Sequence, residues 1–148
     1  MRAEPVSRSG RDALARPLME IQQIGHLVLT VRNIVVTCGF YSQVLGMEVI
    51  VFADDRKAPR FGQQKINLHE QGKEFEPKAL VPTPGSADLC FLAHVPLAEI
   101  IQHMRSCGAQ IIEGPARRTG AIGPIESIYI HDPDGNLLEI SNRVDSTP

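Results

Sequence analysis

The chain has no tryptophan, few aromatic residues and almost no net charge, and each shortage excludes a class of protein. Aromatic residues make up 5% of its 148 residues, too few for an extended platform on which nucleobases could stack. The 15 basic and 17 acidic residues give a formal net charge of −2, so no basic field is available to displace counterions from a phosphate backbone. We therefore expect neither a nucleic-acid-binding protein nor a protein held on an anionic membrane surface.

Cysteine is scarce, and long apolar runs are absent. The 3 cysteines are odd in number and lack CxxC spacing, so neither a disulfide framework nor a zinc knuckle is predicted, and we expect a cytoplasmic protein. No apolar run approaches the roughly 18 residues of a transmembrane helix. Residues 1–20 contain several arginines but no apolar core; we predict a disordered leader, with a mitochondrial presequence as the alternative. Residues 145–148 are predicted to be a tail.

A repeat organises residues 21–144, which we predict to form one domain. When the sequence is shifted by 62 positions, the spacing between Gly46 and Gly108, residues 26–30 lie over residues 88–92. A self-match of this length predicts two copies of one supersecondary unit. Module one is expected at about 24–75 and module two at about 86–144.

Each module begins with a short apolar run of strand length, at 26–31 and at 88–93. Apolar residues at helical spacing follow, and a glycine suited to a helix C-terminus comes after them. Further strands are predicted at 47–52 and 64–68 in module one, and at 110–112, 126–130 and 137–140 in module two. Segments 75–86 and 113–124 are rich in proline and glycine and predict loops, and residues 132–135 predict a tight turn. The order of one strand, one helix and three strands predicts an α+β fold.

Four polar residues occupy equivalent places in the two modules. His26 and Asp88 open the first strands, and Asn67 and Glu139 lie at matching places in the last strands. Glu139 stands between two apolar residues, so strand alternation places its side chain on the opposite sheet face. If that face is concave, the carboxylate points into a cleft.

The residue types at these positions suggest a metal site. One imidazole and two carboxylates suit Mn, Fe, Ni, Co, Zn or Mg, and Asn67 could add a weak carbonyl ligand. His69 lies two residues further along the same strand and is predicted to contact substrate; as a ligand it would give a two-histidine set of the oxygenase type. Arg117 and Arg118 could hold a substrate carboxylate. Ordinary structural roles, such as a turn-capping Asp88 or solvated loop arginines, are the alternatives.

Three segments resemble the vicinal oxygen chelate superfamily, which includes glyoxalase I, fosfomycin-resistance proteins and extradiol dioxygenases. They are GHLVLTV at 25–31, FY at 40–41 with LGM at 45–47, and DPDGNLLE at 132–139. The resemblance runs from about residue 24 to residue 144. It implies two tandem βαβββ modules whose curved sheet encloses a divalent metal ion in a cleft.

Carried over by position, the implied metal ligands are His26, Asn67, Asp88 and Glu139. Glyoxalase I has a carboxylate and a histidine where this chain has Asn67 and Asp88. That departure would weaken metal binding, alter the metal preference, or mark a domain that kept its fold after losing activity and metal.

The resemblance also implies an activity and a partner. A glyoxalase I-like lyase or isomerase would act on a hemithioacetal of glutathione, a small-molecule substrate, with Glu139 as the base that moves the proton. An extradiol dioxygenase, which would need iron and two histidines, is one alternative. A metal-free protein that binds a small ligand in the same cleft is another. Relatives of this length imply a homodimer whose sites draw on both chains.

Overall fold

The computed structural model describes residues 18–144, and it confirms an α+β fold built from two βαβββ modules. The tail at 145–148 and all but the last three residues of the predicted leader lie outside the described residues. Within the described part, no helix is long and apolar enough to cross a membrane.

Module one forms a four-stranded mixed sheet with one helix against it. Its elements are β1 (His26–Val31), α1 (Ile34–Gln43), β2 (Glu48–Phe52), β3 (Arg56–Phe61) and β4 (Gln64–Glu70). The strands lie in the order β1-β4-β3-β2, with β1 and β4 parallel and the other pairs antiparallel. The first strand of the module therefore lies beside its last one. Helix α1 begins where the Asn33 side chain accepts a hydrogen bond from the Val36 backbone N–H at 3.0 Å, which satisfies one of the free donors of its first turn.

Module two repeats this arrangement. Its elements are β5 (Asp88–Leu92), α2 (Leu97–Ser106), β6 (Glu113–Thr119), β7 (Pro124–His131) and β8 (Leu137–Arg143). The strand order is β5-β8-β7-β6, and β5 and β8 are again parallel. The predicted turn at 132–135 joins β7 to β8, and Gly135 adopts a positive φ of 90° there.

Two strands differ from the predictions. The loop prediction at 113–124 is wrong in its first half, because β6 occupies Glu113–Thr119, and the predicted strand at 110–112 is irregular. The β6–β7 register shifts between Glu113 and Ala116, so Pro115, which has no N–H to donate, is accommodated in an edge strand. Strand β3 was not predicted, because its sequence RKAPRF shows neither an apolar run nor a clear alternation.

A single hydrophobic core joins the two modules. Each sheet turns one face towards the helices, which we call the inner face, and the other away from them, which we call the open face. On β1, for example, Leu29 and Val31 are buried on the inner face, whereas His26 is exposed on the open face. Buried residues of both helices and both inner faces form one continuous cluster, so neither module has a core of its own.

The turn between β7 and β8 links the modules by hydrogen bonds. The Tyr41 hydroxyl, on α1, donates to the Asp132 carboxylate at 2.8 Å, and both side chains are buried. The same carboxylate accepts hydrogen bonds from the backbone N–H groups of Asp134 and Asn136 and from the Asn136 amide. Burial and the adjacent negative charge raise the pKa of Tyr41, which keeps the phenol protonated as the donor.

The neighbouring Asp134 makes two further contacts with residues outside its own module's strands. Its carboxylate accepts a hydrogen bond from the Arg32 backbone N–H at 3.0 Å. Its carbonyl oxygen lies 2.5 Å from the place that a Cβ would occupy on Gly85, which has a φ of +80°. Only glycine fits there without a shift of the backbone.

We expect Tyr41→Phe to lower the free energy of unfolding by about 1–3 kcal/mol, because it removes one donor from a buried carboxylate. Urea denaturation monitored by circular dichroism measures this change. Tyr129→Phe is the matched control: its hydroxyl lies at a part-exposed position against Arg118, and we expect a change within about 0.5 kcal/mol. Equal stability of the two variants would contradict the role given to Tyr41.

Candidate functional site

The strand registers place the four candidate ligands in two equivalent pairs. In the parallel pair β1–β4, His26 lies opposite the residue two positions before Asn67. In the parallel pair β5–β8, Asp88 lies opposite the residue two positions before Glu139. Each pair therefore lies on the open face of its own sheet, with the same diagonal spacing.

Glu139 is held in the middle of its sheet by a chain of hydrogen bonds. The Ser127 hydroxyl donates to Glu139 Oε2 at 2.6 Å. Because that hydroxyl has one proton, the 2.7 Å contact between Ser127 and Ser141 is a donation from Ser141. By the same reasoning the Cys90 thiol, whose Sγ lies 3.4 Å from Ser141 Oγ, is the donor to Ser141. This series of hydrogen bonds runs from β5 through β8 to β7 and ends on the Glu139 carboxylate, whose position it fixes.

A cavity of about 530 Å³ lies beside this carboxylate. Its wall includes Glu139, Cys90 and Arg143, and the connection between β6 and β7 closes one side. Ligand pockets for small molecules commonly occupy roughly 300–1,000 Å³. The open face of module two can therefore accommodate a small molecule next to a fixed carboxylate.

Cys90 has a less acidic thiol than an ordinary cysteine. Burial is the largest cause that raises its pKa; the hydrogen bond with Ser141 lowers it, and the negative charges of Glu139 and Asp88 raise it further. The thiol is therefore protonated at neutral pH, as its donor role requires. Cys90 lies opposite Glu139 in the β5–β8 register and two residues after Asp88, so all three side chains share the open face.

In module one, Asn67 is buried at 6% exposure, and its Oδ1 makes no hydrogen bond with any residue from 18 to 144. A buried acceptor without a partner costs about 1–3 kcal/mol of folding free energy. A bound group that donated a hydrogen bond to this oxygen, or a cation, would remove that cost. His69 is buried on the same strand, with its ring edge-on to Phe75 at a centroid distance of 5.6 Å. Burial and the positive charge of Arg56 lower the pKa of His69, so the ring is neutral at pH 7.

His26, Asp88 and Glu139 do not form a metal-binding group within the described part of the chain. Among residues 18–144, no three His, Cys, Asp or Glu side chains lie close enough together to hold a metal ion. The modules pack through their inner faces, whereas His26, Asp88 and Glu139 lie on the open faces. Their convergence on one cleft stays a prediction. His26 with Asn67 and Asp88 with Glu139 form two separate pairs, which we call the half-sites, and their role as metal ligands stays a prediction.

The two arginines predicted to bind substrate lie on β6 rather than on a flexible loop. Arg118 donates to the Tyr129 hydroxyl at 3.0 Å and to the Glu113 carboxylate at 2.9 Å. Arg117 is exposed and lies opposite Glu126, on the other face of the strand. Arg118 is thus occupied by partners within module two, and Arg117 does not face the Glu139 cavity.

Comparison with known proteins identifies the family. Residues 23–140 match the Glyoxalase/Bleomycin resistance protein/Dioxygenase superfamily. The chain belongs to this superfamily. Its two βαβββ modules, each with a four-stranded mixed sheet, are the fold expected of a member.

Two relatives in this superfamily share more than half of their aligned residues with the chain. It is 52% identical over 128 residues to Glyoxalase domain-containing protein RDO1 of Mycosarcoma maydis, and the aligned region covers 86% of this chain and 72% of that protein. It is 56% identical over 126 residues to Virulence protein STM3117 of Salmonella typhimurium, and the aligned region covers 85% of this chain and 88% of that protein. The crystal structure of STM3117 superposes with a TM-score of 0.84, covering 85% of this chain and 100% of that one.

A more distant structure agrees in fold alone. Lactoylglutathione lyase from Agrobacterium tumefaciens superposes with a TM-score of 0.64 at 18% identity, covering 83% of this chain and 95% of that one.

Cys90 and Cys107 are both exposed. We nevertheless expect the Cys90 thiol to react with iodoacetamide at pH 8 more slowly than the Cys107 thiol, because its raised pKa leaves little thiolate. Peptide mass spectrometry measures both rates in the Cys90→Ser and Cys107→Ser variants. Adding Glu139→Gln to Cys107→Ser removes a negative charge near Cys90 and is expected to speed its alkylation. Equal rates for the two cysteines would contradict this account of the site.

Proposed function

We propose that the protein is a glyoxalase I-like, metal-dependent lyase or isomerase. Its substrate would be a hemithioacetal of glutathione or a similar molecule with two neighbouring oxygens. The observation that carries the proposal is the Glu139 carboxylate, which is fixed by Ser127 and borders a cavity of small-molecule size. The likeness to lactoylglutathione lyase is one of fold alone.

The donor set suits a divalent cation. His26 offers an imidazole, Asp88 and Glu139 offer carboxylates, and Asn67 offers the buried amide oxygen that otherwise has no partner. These donors match the preferences of Zn, Ni, Mn, Fe, Co and Mg. Bound there, such an ion would supply Lewis-acid polarisation of two adjacent substrate oxygens.

We infer that the working unit is a homodimer. Each module provides only two of the four proposed ligands, and within residues 18–144 His26, Asp88 and Glu139 form no metal-binding group. A second copy that set module two of one protomer against module one of its partner would join complementary halves. Two equivalent sites would result, as twofold symmetry requires.

Glu139 is the proposed catalytic base. Its carboxylate would accept the proton from the hemithioacetal carbon and return it to the former carbonyl carbon, while the hydroxyl proton passes between the two neighbouring oxygens, so that the isomerisation needs no added oxidant or reductant. The hydrogen bond from Ser127 orients the carboxylate. Because the proton moves only between neighbouring carbons, one carboxylate serves both steps.

A narrower family assignment belongs to the same proposal. The segments NLHE at 67–70, PGSADLC at 84–90, and EGP at 113–115 with RTGA at 118–121 resemble glyoxalase domain-containing protein 5. We propose this group as the branch of the superfamily to which the chain is most similar.

A metal-free protein that binds a small ligand is the second candidate. The observation favouring it is the uncharged Asn67 at a place where a carboxylate would bind a cation more strongly. The extradiol dioxygenase alternative requires His69 as a second histidine ligand, and the burial of that ring against Phe75 disfavours this role.

Metal analysis of protein purified without chelator tests the proposal. We expect one divalent ion per chain in the wild-type protein and a small fraction of that in His26→Ala and in Glu139→Gln. The matched controls are His94→Ala and Glu126→Gln, which remove the same groups at exposed positions outside the half-sites. Full metal content in both site variants would overturn the assignment, and a metal-free wild-type protein would favour the binding protein.

Activity provides an independent measurement. If Glu139 is the base, Glu139→Gln is expected to lower kcat on the methylglyoxal–glutathione hemithioacetal by about 10²–10⁴-fold. Glu126→Gln is expected to retain the wild-type kcat. A Glu139→Gln variant with wild-type kcat would exclude this residue as the base.

Sedimentation tests the dimer. We expect wild-type protein at micromolar concentration to sediment as a species of twice the 16.2 kDa chain mass. A single species of 16.2 kDa would refute a homodimeric site.

A further inference from the structure

The open face of module one carries a cluster of cations stacked on aromatic rings. The Lys65 ammonium lies 3.6 Å from the centroid of the Phe52 ring. The Arg56 guanidinium carbon lies 5.2 Å from the same ring and 4.7 Å from the Phe75 ring. We call these four residues the cation–aromatic cluster. The rings limit the conformations of both cations and so hold them in place.

Neither cation of the cluster has a carboxylate partner in the described part of the chain. Arg60 lies on the same face of β3 as Arg56, and it is neutralised by Glu48 at 2.5 Å. No corresponding ion pair is formed by Arg56 or Lys65, and the buried Arg56 Nε makes no hydrogen bond within residues 18–144. Two positive charges against one ring repel each other, and a buried donor without a partner costs free energy. A bound anion would remove both costs.

The cluster lies next to the first half-site. Lys65 and Asn67 are two residues apart on β4, so their side chains leave the same face about 6–7 Å apart. Arg56 on β3 and the buried His69 on β4 both contact the Phe75 ring, at 4.7 Å and 5.6 Å from its centroid. A molecule that contacts Asn67 can therefore extend a second group towards both cations. By contrast, Arg118 is already occupied by Tyr129 and Glu113.

We propose that Arg56 and Lys65 bind a carboxylate of the substrate, which makes the ligand of this site an organic anion. The inference rests on the proposed function, because it assigns the substrate class of the same cleft. A guanidinium offers the planar, forked donor geometry that matches a carboxylate, and its position between two rings fixes that fork before the ligand arrives. Specificity for an anionic substrate thus lies in module one, and the proposed base lies in module two.

Calorimetric titration with S-methylglutathione, and with its diethyl ester, which lacks both carboxylate charges, tests the proposal. We expect the wild-type protein to bind the free acid more tightly than the ester. Arg56→Gln and Lys65→Gln should each weaken binding of the acid by about tenfold or more and leave binding of the ester unchanged. Arg60→Gln is the matched control, since its cation is already paired, and it should change the affinity less than twofold.

Several results would overturn the anion site. One is equal binding of the acid and the ester by the wild-type protein. Another is a folded Lys65→Gln variant that binds the acid with wild-type affinity. Dissociation of the dimer in Arg56→Gln or Lys65→Gln would also overturn it, because the cations would then pair with carboxylates of a second copy. Metal content measured on the same samples separates the two ideas. Normal metal with no acid preference rejects the anion site alone, and acid preference without metal rejects the proposed metal-dependent activity alone.

Discussion

The buried Asp132 carboxylate is the interaction on which the rest of the structure depends. It accepts hydrogen bonds from the Tyr41 hydroxyl, from two backbone N–H groups of its own turn and from the Asn136 amide. These donors replace the water that a buried charge loses. The turn they define starts β8 at Leu137, and the Asn136 amide oxygen accepts the Ala87 N–H just before β5. The carboxylate thus sets the parallel pair that carries Asp88 and Glu139.

The two modules share a strand register but differ in chemistry. The open face of module two places carboxylates and hydroxyl groups around Cys90. The open face of module one carries two cations on aromatic rings, and the Asn67 amide lies two residues from Lys65 on the same strand. The repeat has therefore kept its strand geometry while its side chains have diverged.

Most of the elements could be predicted from the sequence because their apolar residues recur at strand or helix spacing. Strand β3 could not, since RKAPRF takes its place from pairing with its neighbours rather than from its own pattern. Strand β6 could not either, because its proline and glycine are typical of loops and are tolerated here by a register shift at the sheet edge.

The site could be predicted only in part, for a similar reason. The equivalence of Asn67 with Glu139 follows from the repeat, and the register supports it. Which sheet faces pack together is decided by tertiary contacts such as Tyr41 with Asp132, which no local pattern encodes. The cation–aromatic cluster was missed because Arg56 and Phe75 are far apart in sequence and meet only through the fold. Clusters of cations and aromatics near a repeat position are the signal that could have indicated it.

The parallel pairing of each module's first and last strands also governs how the chain can fold. Strand β1 has no partner until β4, some forty residues later, has formed, and β5 waits in the same way for β8. Contacts of such large sequence separation slow folding, because the loop between them must close first. During synthesis the whole of module one precedes Asp132, so the hydroxyl of Tyr41 stays without its partner until the end of the chain is made. Completion of the core is therefore a late and cooperative event that requires nearly the full domain.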